Sequence, residues 1–161
     1  MIVNLIFYGL FLLPLRRLDL FKENYSTLSL ETRGYFYLLL LGIGIGFLMA
    51  YETYHISGRK IAAIMFFSLV LGTVIPHHVP YDFQGNMHLL FAYLGFAGMM
   101  SVTFMNLIIT SNLHLINIYF LSIFILGLLY MLYGMVNTLM EVLIMSLNMY
   151  INYLLYKKKC P

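Results

Sequence analysis

The sequence predicts an all-α fold, a single domain over residues 1–161 made of six membrane-spanning helices with a short first one, or five if that segment does not cross. Three observations predict it. Charged residues make up only 9% of the chain and hydrophobic ones 62%, whereas a soluble domain carries about 25% charged residues. Apolar runs recur at the length that a bilayer core demands, about 20 residues each. Between the runs stand short polar or basic connections, and the formal charge of +3 gathers near the helix ends. Charge placed that way reports membrane orientation and gives no basic face for a nucleic acid.

Residues 1–15, MIVNLIFYGLFLLPL, are apolar but reach only about 22 Å at 1.5 Å per residue, less than the roughly 30 Å hydrocarbon core. They lack a basic leading stretch and a small-residue cleavage site, so the expectation is a thin first span and not a cleaved signal. Residues 16–33 form the most polar loop. Spans are expected near 34–54, 60–76, 87–110, 115–134 and 138–156. The first of these carries Gly42, Gly46 and Ala50 four apart, a small-residue stripe that lets another helix approach closely. Cys160 is the only cysteine, which leaves no internal disulfide and no CxxC metal or redox site.

Orientation follows from the basic segments HISGRK and YKKKC, taken as cytoplasmic. The 16–33 loop then lies outside, and the N-terminus is cytoplasmic only if residues 1–15 cross. The outer loop itself carries Arg16, Arg17, Lys22 and Arg33, so counting positive charges does not choose between the two orientations. The expected location is the cytoplasmic membrane of a prokaryote, with several passes.

Two helices show polar faces. At 100° per residue Asn137, Glu141, Asn148 and Asn152 fall within an arc of about 60° on the last helix. Asparagine and glutamate are costly against lipid, so this stripe is expected to face the bundle interior. On the 87–110 helix His88, Gly95, Met99, Thr103, Asn106 and Thr110 share a similar arc, expected to face the last helix. The plain reading of both stripes is interhelical hydrogen bonding, worth roughly 0.6 kcal/mol per contact. Glu141 stands apart, because an ionisable group inside a span marks a functional candidate.

The chain is organised around residues 72–96, where a polar hinge with His77, His78, Asp82 and His88 interrupts two apolar helices. Imidazoles and carboxylates are the ligands zinc accepts, and Glu141 could add another. The spacing matches no established metal signature, so metal and cofactor are both unassigned. A hydrolase reading pairs Ser26 or Ser29 with one of the histidines and Asp82, since such constellations are recognised by geometry and not by chain order. No GxSxG elbow is present, and the two serines read equally well as helix caps. In a third reading His88 and Glu141 share a proton on an ion path, although no inverted repeat is visible. Both residues open their helices from the same side of the membrane, so they are expected to approach one another. The remaining residues read plainly: His55 and His114 sit at helix ends, and the twelve methionines suit pliable helix packing.

The order of these features has a counterpart. A thin first helix, YSTLSLE before the second helix, then Pro76, Asp82, His88 and Phe96 in sequence resemble the bacterial six-helix membrane proteins known only as a domain of unknown function. That group is related to the DRAM/Frag/Sfk superfamily. The resemblance covers the architecture of residues 24–156. It implies six helices, with the Ser26/Ser29 loop, the His77–His88 hinge and Glu141 at one outer rim; it supplies no activity. The chain departs from it in the basic residues of the outer loop and in a hinge that reads PHHVPYD. Two functions remain open. One is a module that binds membrane lipids, a partner membrane protein or a second copy of itself. The other is a membrane-embedded hydrolase, metal-dependent or not, acting on a lipid headgroup.

Overall fold

The computed structural model describes residues 2–76 and 83–160. Among them the fold is all-α: α1 Ile2–Leu12, α2 Thr32–Ser57, α3 Arg59–Val74, α4 Phe83–Ile109, α5 Leu113–Tyr133 and α6 Thr138–Lys159. Two 3-10 turns, Leu13–Arg16 and Tyr25–Leu30, stiffen the loop between α1 and α2. Four helices, α2, α4, α5 and α6, are long and apolar enough to cross a membrane, and a shorter apolar helix stands at the N-terminus. The chain is therefore a multi-pass helical membrane protein. α3 has 16 residues, about 24 Å of helix.

Helix boundaries follow local chemistry. Gly58 adopts φ 88° between α2 and α3, and Gly134 adopts φ 68° after α5, conformations that favour glycine for want of a Cβ. The side chains of Asn112 and Asn137 accept the backbone N–H groups of Leu115 and Met140 at 3.3 and 3.1 Å, capping α5 and α6. Asn137, expected as part of the polar stripe, thus stands just ahead of α6 as its cap and not as a member of the helical face. α4 includes Phe83–Asn86, which the sequence placed in the hinge; no proline lies between Pro80 and Asn86 to hold those residues out of the helix.

The six helices alternate in direction. α1 runs antiparallel to α2: Asn4 bonds Glu52, Phe7 lies over Gly44, and the Tyr37 hydroxyl donates to the Leu10 carbonyl. Lys159 Nζ donates to the Ile56 carbonyl at 2.6 Å, which sets the end of α6 beside the α2–α3 turn. Both ends of the chain therefore lie at one end of the bundle. α3 is gripped between α2 and α4. Gly42 of α2 faces Thr73, Gly46 faces Phe66 and Leu69, and Gly95 and Gly98 of α4 press on Ser68 and Gly72. The stripe on α2 thus packs as expected, but the arc on α4 divides, Gly95 turning to α3 while Thr103 and Asn106 meet α6. Ile45, Met49, Met65 and Met99 fill one core, and Leu107, Tyr119, Ile151 and Leu155 a second nearer the chain ends. Methionine does occupy the irregular spaces where helices cross.

Candidate functional site

The end of the bundle opposite the termini is closed by the loop between α1 and α2. Loop carbonyls supply what the first turn of α6 lacks: Thr138 N donates to Glu23 O at 2.6 Å and Leu139 N to Leu20 O at 3.1 Å. A helix leaves its first amides unpaired, so the N-terminus of α6 is where such a strap can dock. The Thr138 hydroxyl also donates to Glu23 O, at 2.8 Å. Glu141, 8% exposed, then accepts the Tyr25 N–H at 2.5 Å. The Tyr25 ring stacks on Phe11 with centroids 4.8 Å apart, and its hydroxyl donates to the Phe11 carbonyl. Burial, together with the Glu141 and Tyr37 oxygens nearby, holds the Tyr25 phenol above its ordinary value, so it remains a neutral donor.

This docking sets Ser26 beside α4. The Ser26 hydroxyl lies 2.8 Å from His88 Nε2, and His88 Nδ1 lies 2.6 Å from the Ile75 carbonyl. A carbonyl only accepts, so Nδ1 carries its hydrogen, and in the neutral imidazole Nε2 offers its lone pair to the Ser26 O–H. Ser29 does not cap α2. Its hydroxyl donates to the Ser26 carbonyl at 2.7 Å, and Asn24 is the residue whose side chain caps the turn, accepting from Thr27 N. A cavity of about 100 Å³ adjoins these groups and is lined by Ser26, Ser29, Gly72, His88, Phe96 and Glu141, among others. His88 and Glu141 both line this cavity, at the same end of the bundle.

The asparagines do a different job, towards the other end. Asn106 Nδ2 donates to Asn152 Oδ1 at 2.7 Å and to Thr53 Oγ1 at 3.2 Å, and its own oxygen accepts from Ser57. Asn152 donates to Thr103 Oγ1 at 2.9 Å, while Asn148 accepts from the Tyr119 hydroxyl at 3.0 Å. These contacts join α2, α4, α5 and α6 through side chains that are almost wholly buried. They form the interhelical lock that the plain reading gave them.

His77, His78 and Asp82 lie outside the described residues. Among the described residues no three His, Cys, Asp or Glu side chains form a metal-holding group. His55 packs against Tyr51, Tyr54 and Tyr156 as an interfacial aromatic. Sequence reasoning passed over Glu52, which is 2% exposed and accepts from Asn4 Nδ2 at 2.7 Å. The signal was present, an acid within a span, but its partner sits on a segment that only the fold brings near.

A larger recess of about 760 Å³ opens between α1 and α5, with α6 as its floor; Leu5, Tyr8, Leu126, Leu143, Leu147 and Tyr150 are among the residues that line it. Ser146, also in this wall, has a buried hydroxyl without a hydrogen-bond partner among the described residues. No protein-family model, curated protein or solved structure matches the chain.

Proposed function

We propose that this protein is a membrane module that holds a lipid, its six helices crossing the cytoplasmic membrane of a prokaryotic cell with both termini inside. The single observation that carries the lipid is the recess between α1 and α5. It is almost wholly apolar, it is as large as small-molecule sites that run to about 300–1,000 Å³, and in a bilayer its surroundings are acyl chains. Its lining runs along α6 from Leu143 to Tyr153, about 15 Å of helix, with Asn4 and Tyr153 towards the end that holds the termini. A chain entering from that leaflet fills it with the headgroup at Tyr153, since aromatic residues favour the interface. The orientation rests on Lys157–Lys159 beside Arg59 and Lys60, a basic cluster suited to an anionic inner surface. The alternation of α1 with α2 supports the sixth span, in keeping with the six-helix resemblance.

The chain contains no tryptophan, so Leu143→Trp places a sole fluorophore in the recess and Leu132→Trp one on the outer surface. Titrated with a bromine-labelled phospholipid in mild detergent, the recess probe is expected to be quenched saturably at low lipid fraction. The surface probe should follow bulk lipid content only. Identical curves for the two would remove the lipid site. Loss of quenching that tracks dimer formation would give the recess to a second copy instead.

A further inference from the structure

The rim cavity carries an arrangement that a lipid-holding role does not use. Ser26 and His88 are joined at 2.8 Å, and the far ring nitrogen of His88 is fixed by the Ile75 carbonyl at 2.6 Å. Those are the relations a nucleophile and its general base require: hydroxyl against imidazole, and imidazole against an orienting acceptor. The orienting group here is a backbone carbonyl in place of a carboxylate. It selects the same tautomer, because it too accepts from Nδ1–H.

The supports are as important as the pair. Ser26 sits in a 3-10 turn held at its start by Asn24, at its own carbonyl by Ser29, and one residue earlier by Glu141 through the Tyr25 N–H. Ser26 is half-buried whereas His88 is 5% exposed, so Ser26 is the more accessible residue of the pair. The adjoining cavity, about 100 Å³, holds a few water-sized groups at about 30 Å³ each, room for an ester carbonyl and its two substituent atoms.

We infer that Ser26 and His88 form a nucleophile–base pair for transfer of an acyl group from an ester to water. Ser26 Oγ attacks the ester carbonyl as His88 Nε2 takes the hydroxyl proton. The carbon–oxygen bond to the alcohol breaks and His88 returns that proton to the departing alkoxide, leaving an acyl-serine. Water, deprotonated by the same nitrogen, then attacks the acyl-serine. The acid departs, and the proton goes back to Ser26 Oγ. No oxidant, reductant or metal enters. Glu141 is a positioning residue in this scheme, since it holds the turn and not the ring.

That the ester belongs to a lipid rests on the lipid-binding reading, so the test uses a soluble ester and is independent of the recess. Purified full-length protein in mild detergent is treated with a fluorophosphonate probe and assayed separately with p-nitrophenyl butyrate. Mapping should place the probe on Ser26. Ser26→Ala should abolish labelling and lower ester turnover by about 100-fold or more, in line with lost nucleophilic and acid–base catalysis, while Ser101→Ala, at an exposed serine of α4 outside the cavity, retains both. His88→Gln, checked for an unchanged melting temperature and elution volume, should slow labelling at Ser26 at least tenfold. If that variant fails to fold, the wild-type and Ser26→Ala comparison still decides. Unlabelled Ser26 in the folded wild type, with ester turnover equal to that of Ser26→Ala, would overturn the pair as a catalytic site and leave it a loop-to-helix tie. The lipid titration is unaffected by either result.

Discussion

Glu141 shows how a residue singled out by its chemistry can owe its place to geometry. Its oxygen is the acceptor for the Tyr25 N–H at 2.5 Å, and that bond needs an oxygen but no charge. Glu141→Gln is therefore expected to keep the strap in place, its amide oxygen accepting the same N–H. Glu141→Leu leaves a buried amide unpaired and should cost about 1–3 kcal/mol, read as a lower melting temperature in detergent for Leu but not for Gln. Equal losses in both variants would show that the carboxylate acts through its charge. Ser146 offers the opposite case. Its buried hydroxyl has no partner among the described residues, so Ser146→Ala is expected to be neutral or mildly stabilising in the same measurement.

At the scale of elements, the three-helix layer α2–α3–α4 depends on missing side chains. A Cβ on Gly95 would meet the Ser68 carbonyl and then the Gly72 backbone nitrogen at 3.1 Å. Backbone cannot rotate aside, so the two helices must separate. Gly95→Ala is expected to destabilise by about 1–3 kcal/mol, the usual range for overpacking. Gly127 of α5 has nothing within 4 Å of the same position, and Gly127→Ala should leave stability unchanged. Unfolding of each variant in mixed detergent micelles checks the difference; equal stabilities would mean that α3 and α4 do not approach as closely as described. α5 gives the second core one fully buried residue, Tyr119, with Leu115, Ile116 and Ile123 partly buried against it, and Leu126 faces the wide recess that opens beside it.

For the whole molecule, every contact across the loops assigns the same two ends. Thr138 to Glu23, Glu141 to Tyr25 and His88 to Ser26 gather at one; Asn4 to Glu52 and Lys159 to Ile56 gather at the other. With Cys160→Ser as background, a single cysteine introduced as Phe83→Cys should react with an impermeant maleimide in intact cells. One introduced as Lys60→Cys should react only after permeabilisation. The native Cys160, studied in the unaltered chain, should behave like position 60. Reaction of positions 83 and 60 from the same side would dismantle the alternating bundle.

The sequence by itself determined that the chain is helical and membrane-embedded, and roughly where each long helix runs. Those properties are set by local hydrophobicity, whereas the cap roles of Asn112 and Asn137 and the positive φ of Gly58 and Gly134 emerged only with the structure. The sequence also placed Asn106, Asn148 and Asn152 inside, since helical period alone puts them on one face and lipid will not take an amide. Only the tertiary structure decided which serine meets which histidine. Ser26 and His88 are 62 positions apart, and YSTLS offers two serines of equal promise on composition. The choice was made by the strap's docking on the first turn of α6, where Glu141 takes the Tyr25 N–H and so fixes the rotation of the turn. The Glu52–Asn4 contact arose in the same way. Distances between elements come from how helices stack and where loops find unpaired amides, and no local pattern in a sequence carries that information.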